Sequence, residues 1–125
     1  MIIGTGIDII ELERIEQILK RQGKPFINRI LTEDEQLRIP HLRNRRVEYV
    51  AGRFSAKESL AKAIGVGIGT HLSWHDILIM PNSLGKPEIM LSEKAQGLIP
   101  PHSRIHLTLS HSKYYCVSHV IIELV

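Results

Sequence analysis

The 125-residue chain has one cysteine, Cys116, two phenylalanines and a single tryptophan. One thiol excludes an intrachain disulfide, and its place in an apolar run reads as a packed core thiol. Aromatics make up 5% of the residues, and no stacking motif interleaves with the basic ones, which counts against a nucleic-acid module. No apolar run approaches the ~20 residues needed to span a bilayer. The N-terminus lacks a basic segment followed by a long apolar core, so no secretory signal is evident and a cytoplasmic location is expected. Internal repeats and low-complexity tracts are also missing. Gly65-Val66-Gly67-Ile68-Gly69 is rich in glycine but leaves a predicted helix instead of entering one. It matches neither the P-loop nor the dinucleotide fingerprint and reads as a C-cap and connector.

What remains is an ordinary soluble composition, 43% hydrophobic, in a length that suits one domain over residues 1–125. A chain of this size buries roughly two thirds of its unfolded surface, enough for a core without staples. The net charge is +3, a mild basic bias compatible with an acidic partner or a phosphate-rich ligand. The bias is local. Arg43, Arg45, Arg46, Arg53, Lys57 and Lys62 form one group, and Arg14, Lys20, Arg21, Lys24 and Arg29 another. The plain alternative for either is a solvated face.

The β-branched run Ile2–Ile10 predicts a strand. A helix follows from Glu11 to Gln22 with Leu12, Ile15, Ile18 and Leu19 as its stripe, ended by Gly23 and Pro25. Phe26 to Leu31 predicts a helical turn. Thr32-Glu33-Asp34-Glu35 matches a capping box opening a short helix that stops near Pro40. A long helix is predicted over 45–64, a hairpin with strands at 76–80 and 88–91 around the turn 82–87, a short helix at 92–98, and strands at 104–110 and 114–125. That order predicts an α+β fold, an antiparallel sheet packed on one long helix plus short helices.

One carboxylate stands out. Counting about 100° per residue from Val47, Val50, Ala51, Phe54 and Ala61 fall within about 60° of zero, and Glu58 falls at about 20°. An ionised carboxylate in an apolar face costs several kcal/mol or more unless a metal or fixed cation compensates it. Lys62, at i+4, can meet it. On the N-terminal strand, Asp8 shares a face with Ile2, Gly4, Gly6 and Ile10, and the glycines are expected to leave room for a ligand's approach. If strand and helix pack together, Asp8 and Glu58 suggest a divalent-cation site, with Mg²⁺ the natural choice for carboxylates plus phosphate. The plainer reading has Asp8 capping a turn and Glu58 pairing only with Lys62. Among the histidines, His71 and His75 have i, i+4 spacing without the Glu of a zinc protease helix. Ser110-His111-Ser112 falls at a sharp turn, where an imidazole and hydroxyls can meet a phosphate.

Gly6-Ile7-Asp8, the run Arg53–Gly65 with its F-x-x-K-E-x-x-x-K-A-x-G pattern, Gly85-Lys86-Pro87 and Ser110-His111-Ser112 together resemble the holo-[acyl-carrier-protein] synthases, small bacterial 4′-phosphopantetheinyl transferases. The resemblance spans essentially the whole chain. Family members often carry an aromatic where this chain has Leu60, and alanines where it has Ser55 and Ser59. The resemblance implies the 4′-phosphopantetheinyl transferase fold and transfer of 4′-phosphopantetheine from coenzyme A to a serine of apo acyl carrier protein. It further implies Mg²⁺ held by Asp8 and Glu58, and a homotrimer with its sites between subunits. On that reading Glu58 and Lys62 are the catalytic residues, and either Glu58 or a water on the metal takes the serine proton. Arg45, Arg53, His111 and Ser112 meet the coenzyme's phosphates, and Gly85, Lys86 and Pro87 shape the nucleotide pocket. Arg14, Arg21, Lys24 and Arg29, with Phe26 as an apolar anchor, receive the acidic carrier protein. Neither nucleic acid nor membrane is an expected partner. A Mg²⁺-dependent phosphohydrolase using the same carboxylates is the alternative, ahead of a nucleic-acid module.

Overall fold

The computed structural model describes all residues, Met1–Val125. Strand β1 (Ile2–Glu11) runs into helix α1 (Leu12–Arg21), followed by α2 (Lys24–Ile30), the single turn α3 (Glu33–Gln36) and the long α4 (Arg43–Ile64). A 3₁₀ turn at Trp74–Asp76 leads into the hairpin β2 (Ile77–Pro81) and β3 (Pro87–Leu91). The chain then forms α5 (Glu93–Gln96) and the hairpin β4 (Ser103–His111) and β5 (Tyr115–Leu124). Two antiparallel sheets result: β1-β5-β4, with β5 in the middle, and the separate pair β2-β3. This is the α+β arrangement expected from the order of elements. No helix is long and apolar enough to cross a membrane.

Local signals mostly held. The capping box opens α3, with Glu35 N donating to Thr32 Oγ1 and Thr32 N to the Glu35 carboxylate. That helix ends at Gln36, well short of Pro40. Gly23 takes φ of +53° at the α1–α2 junction, a left-handed value that suits glycine. Pro25 does not end α1; it sits in the first turn of α2, where its missing N–H has no intrahelical partner to lose.

Helix α4 joins two apolar clusters. Val47, Val50 and Ala51 pack with Ile10, Ile15, Phe26 and Ile30, while Ala56, Leu60, Ala61 and Ala63 pack with Leu72, Ile77, Leu107 and Val120. The helix is therefore buried around much of its circumference, not along one stripe. Between the clusters lies a buried ion pair. Lys57 Nζ donates to Glu35 Oε1 at 2.7 Å, to Ile30 O at 2.7 Å and to Trp74 O at 3.1 Å, and both side chains are fully buried. Glu35 Oε2 accepts from Ile79 N at 2.8 Å. Lys57 thus belongs to no solvated basic face.

Strand β1 crosses α4 at very close range. A Cβ on Gly6 would fall 1.9 Å from Ser59 O, and one on Gly4 would fall 2.1 Å from Ala63 O. The glycines make room for the helix backbone, not for a ligand. Because side chains alternate along the strand, this approach also turns Asp8 toward α4.

Candidate active site

Asp8, Glu58 and Lys62 come together at the β1–α4 seam. Lys62 Nζ donates to Asp8 Oδ1 at 3.4 Å and to Ile7 O at 3.0 Å. The expected Lys62–Glu58 pair does not form; the lysine reaches across to the strand. Asp8 Oδ2 is buried and has no hydrogen-bond partner. Glu58 is half-buried at the rim of the seam. Burial and the nearby charge of Asp8 push its carboxyl above the ordinary range, against the pull of Lys62. Two carboxylates, one with an orphaned oxygen, are under-compensated by a single exposed lysine.

Three buried hydroxyls hold this seam from behind. Ser118 lies opposite Asp8 in the β1–β5 register. Its Oγ is 2.7 Å from Ser55 Oγ and 2.5 Å from Ser59 Oγ. Ser55 Oγ also reaches Asp8 O at 3.4 Å. The protons can run in one chain, Ser59 to Ser118, Ser118 to Ser55, and Ser55 to the Asp8 carbonyl, which leaves no buried donor unused. Ser55 and Ser59 thus stitch α4 to both strands.

A second group lies between the first half of α4 and the turn that joins β4 to β5. A pocket of about 400 Å³ is lined by Arg45, Glu48, Tyr49, Arg53, Leu109 and His111. His111 Nε2 pairs with Glu48 Oε2. The Arg53 guanidinium lies over the Tyr49 ring. Burial holds Arg53 below its usual value, opposed by Tyr49 and Glu35. Cys116 also lines the pocket, but burial pushes its thiol up to about 11, so it stays protonated and unreactive.

The structure does not gather every expected residue. Asp8, Glu58 and Lys62 are absent from the arginine pocket. Ser112 lines a different pocket of about 630 Å³ with Glu11, Glu13, Glu16, Glu48 and Tyr114. Its hydroxyl accepts from Tyr114 N and Tyr115 N, so it caps the β4–β5 turn, and its own O–H is left to donate. Gly85, Lys86 and Pro87 sit at the tip of the β2–β3 hairpin, in the other sheet. Gly85 has φ of +88° and open space around it. Arg14, Arg21, Lys24 and Arg29 are exposed as expected. Phe26 is not: it is 5% exposed, packed 6.1 Å from Phe54, and anchors the core instead of a partner. Tyr49, Glu48 and Ser118 were not singled out by spacing. Tyr49 alone left a trace, lying one turn before Arg53 on the same helix.

Comparison with known proteins agrees with this geometry. A family model described as the 4′-phosphopantetheinyl transferase superfamily matches residues 4–121. The holo-[acyl-carrier-protein] synthase of Anoxybacillus flavithermus is 49% identical over 98% of this chain and 97% of its own length. That of a Geobacillus species is 52% identical over 98% of each chain. The crystal structure of the Bacillus anthracis synthase, in complex with CoA (3′,5′-ADP), superposes with a TM-score of 0.85 at 43% identity, covering 100% of this chain and 99% of that one. The Helicobacter pylori synthase in complex with coenzyme A gives a TM-score of 0.82 at 32% identity over 95% and 99%. The chain belongs to the 4′-phosphopantetheinyl transferase superfamily, among its holo-[acyl-carrier-protein] synthases.

Proposed function

We propose that this chain transfers the 4′-phosphopantetheine group of coenzyme A to a serine hydroxyl of apo acyl carrier protein, releasing adenosine 3′,5′-bisphosphate. The observation that carries the reading is the Asp8–Glu58 pair: Asp8 Oδ1 accepts from Lys62, and the other Asp8 oxygen, Oδ2, is buried without a partner. Phosphoryl transfer needs positioning and charge neutralisation more than covalent help. The serine oxygen bonds to the pantetheine-bearing phosphorus, and that phosphorus loses its bond to the oxygen bridging to the adenosine phosphate.

The donor set fits Mg²⁺. Asp8 and Glu58 would hold it, and no third His, Cys, Asp or Glu joins them, which leaves positions for phosphate oxygens and water. When bound, the ion neutralises charge on the pyrophosphate and on the departing bisphosphate. Lys62 adds a second cation. A lysine acts as a base only when strongly desolvated, and this side chain is 55% exposed, so its part is electrostatic. With the pyrophosphate assigned to this seam, the arginine pocket takes the coenzyme's remaining anion, its 3′-phosphate. Arginine suits that task because its guanidinium binds phosphate bidentately.

The carboxylates and Lys62 share no pocket with the arginines, and the Lys86 hairpin belongs to another sheet. We read the complete site as formed between copies, in a homotrimer. The outer face of β1 supports self-association: Ile7 and Ile9 are 62% and 63% exposed beside the partly exposed Ile3 and Tyr115, an apolar patch a soluble monomer rarely leaves open. Mixing inactive Glu58→Gln and Arg53→Ala proteins under conditions of subunit exchange should then restore activity. No recovery in exchanged mixtures would refute a shared site. A cytoplasmic setting fits the substrates.

The reaction itself is tested by incubating the protein with coenzyme A, Mg²⁺ and apo carrier protein and measuring intact mass. A gain of one phosphopantetheine on the carrier is expected. Phosphate release from coenzyme A with no gain on the carrier would favour the phosphohydrolase. Arg14, Arg21, Lys24 and Arg29 are assigned to steering the acidic carrier. Arg14→Glu with Arg21→Glu should lower kcat/KM for the carrier by roughly one to three decades at low salt, with coenzyme A affinity unchanged. A wild-type rate at low salt would show these arginines to be merely solvated.

A further inference from the structure

Arg53 is held in an uncommon way. Its guanidinium carbon lies 4.1 Å from the centre of the Tyr49 ring. Its Nε is buried and bonds to nothing. Tyr49 precedes it by one helical turn, so the two side chains share a face of α4. The far end of the ring is itself fixed. Tyr49 OH donates to Glu35 O at 2.6 Å, and Glu35 is clamped by Lys57, by Thr32 N and by Ile79 N. The ring is therefore anchored in the buried polar network at one end and presents its flat face to the guanidinium at the other. An arginine left to itself samples many rotamers; stacked on a fixed aromatic, it keeps one orientation and loses less freedom on binding.

The structure assigns Tyr49 the part of a positioning residue: its ring aims Arg53 into the pocket it shares with Arg45 and His111, where Arg53 meets the donor's 3′-phosphate. This rests on the reading of that pocket given above. It implies that Tyr49 governs how strongly the protein prefers coenzyme A over 3′-dephospho-coenzyme A, without touching either. The ring supplies the stacking face and the hydroxyl its anchor on Glu35 O, so losing the ring should cost more than losing the hydroxyl alone.

The test is calorimetric titration of coenzyme A and of 3′-dephospho-coenzyme A, with Mg²⁺ present, into the wild-type protein, Tyr49→Phe, Tyr49→Leu and Arg53→Gln. Steady-state kcat and KM are measured alongside. Tyr49→Phe, which keeps the ring but loses its tie to Glu35 O, should lose less of the preference than Tyr49→Leu. Tyr49→Leu should bind coenzyme A about tenfold more weakly, the scale of one cation–π contact plus the ordering of one flexible side chain. Its affinity for the dephospho form and its kcat at saturating donor should stay within about twofold. Equal weakening toward both donors, or an unchanged preference, would overturn the assignment. Arg53→Gln separates the two layers. If it keeps full preference, the reading of the pocket fails; if it loses preference while Tyr49→Leu keeps it, only the role of Tyr49 fails. Should Tyr49→Leu not fold by circular dichroism, Tyr49→Met, which fills more of the space without a ring, is read in the same way.

Discussion

Asp8→Asn or Glu58→Gln should leave a folded protein whose turnover has fallen by two or more orders of magnitude. Each change keeps shape and removes one charge from the pair. If the carboxylates hold a cation worth several kcal/mol of charge stabilisation, each ~1.36 kcal/mol lost is tenfold in rate. The fold should not suffer, and for Glu58→Gln the sign is set by the environment. Burial and Asp8 raise the Glu58 carboxyl above its ordinary value, so its ionised form is the one the fold disfavours. That penalty is fully present above the raised value and is relieved as pH falls. Near neutral pH and without metal, Glu58→Gln should therefore melt at or above the wild type, and the gap should close as pH falls toward the ordinary carboxylate range. Thermal melts across pH, read beside the carrier mass assay, check both halves. A variant that turns over normally, or a wild type that works with Mg²⁺ fully chelated, would sink the metal assignment.

Lys57→Met should be strongly destabilising. It leaves Glu35, fully buried, as an uncompensated charge, and removes the donor to Ile30 O and one of two donors to Trp74 O. Breaking a buried pair on one side costs about 3–5 kcal/mol, a large share of the ~5–15 kcal/mol typical of a whole domain. A fall in Tm of roughly 10–20 °C follows. The second substitution distinguishes charge from packing. Glu35→Gln added to Lys57→Met removes the stranded charge and should recover part of the loss, making the double variant more stable than the single. If the double melts lower still, the pair acts through packing and hydrogen bonds alone. The two cores on α4 meet at this pair, so the same melts report whether they unfold together.

The contrast between Lys57 and its neighbour Glu58 shows what spacing can and cannot reveal. Helical periodicity singled out Glu58 as a carboxylate out of place, and it does sit at the seam with Asp8. The reason was different, however. Helix α4 is buried on several sides, so no single apolar face exists for Glu58 to interrupt; it lies at the rim where β1 crosses. Clustering along the sequence puts Lys57 in a basic group with its neighbours, because nothing local marks Glu35 as its partner 22 residues earlier. Nothing in their spacing ties Ser55 and Ser59 to Ser118, which comes from the far end of the chain and closes the hydroxyl chain beneath Asp8.

Read alone, the sequence determined what is local or carried by a run of specific residues. The order of elements, the α3 capping box, the long helix and the exposure of Arg14 and Arg21 follow from turn chemistry, caps and period. The family pattern from Phe54 to Gly65 named the carboxylate and the lysine. Only the tertiary structure decided contacts between distant segments. It turned Gly4 and Gly6 into the bearing surface for α4, moved Lys62 from Glu58 to Asp8, withdrew Phe26 into the core and put Arg53 on Tyr49. It also kept the carboxylates out of the arginine pocket. These outcomes depend on how closely two backbones approach and which buried polar group finds a partner, and neither quantity is written in spacing along the chain.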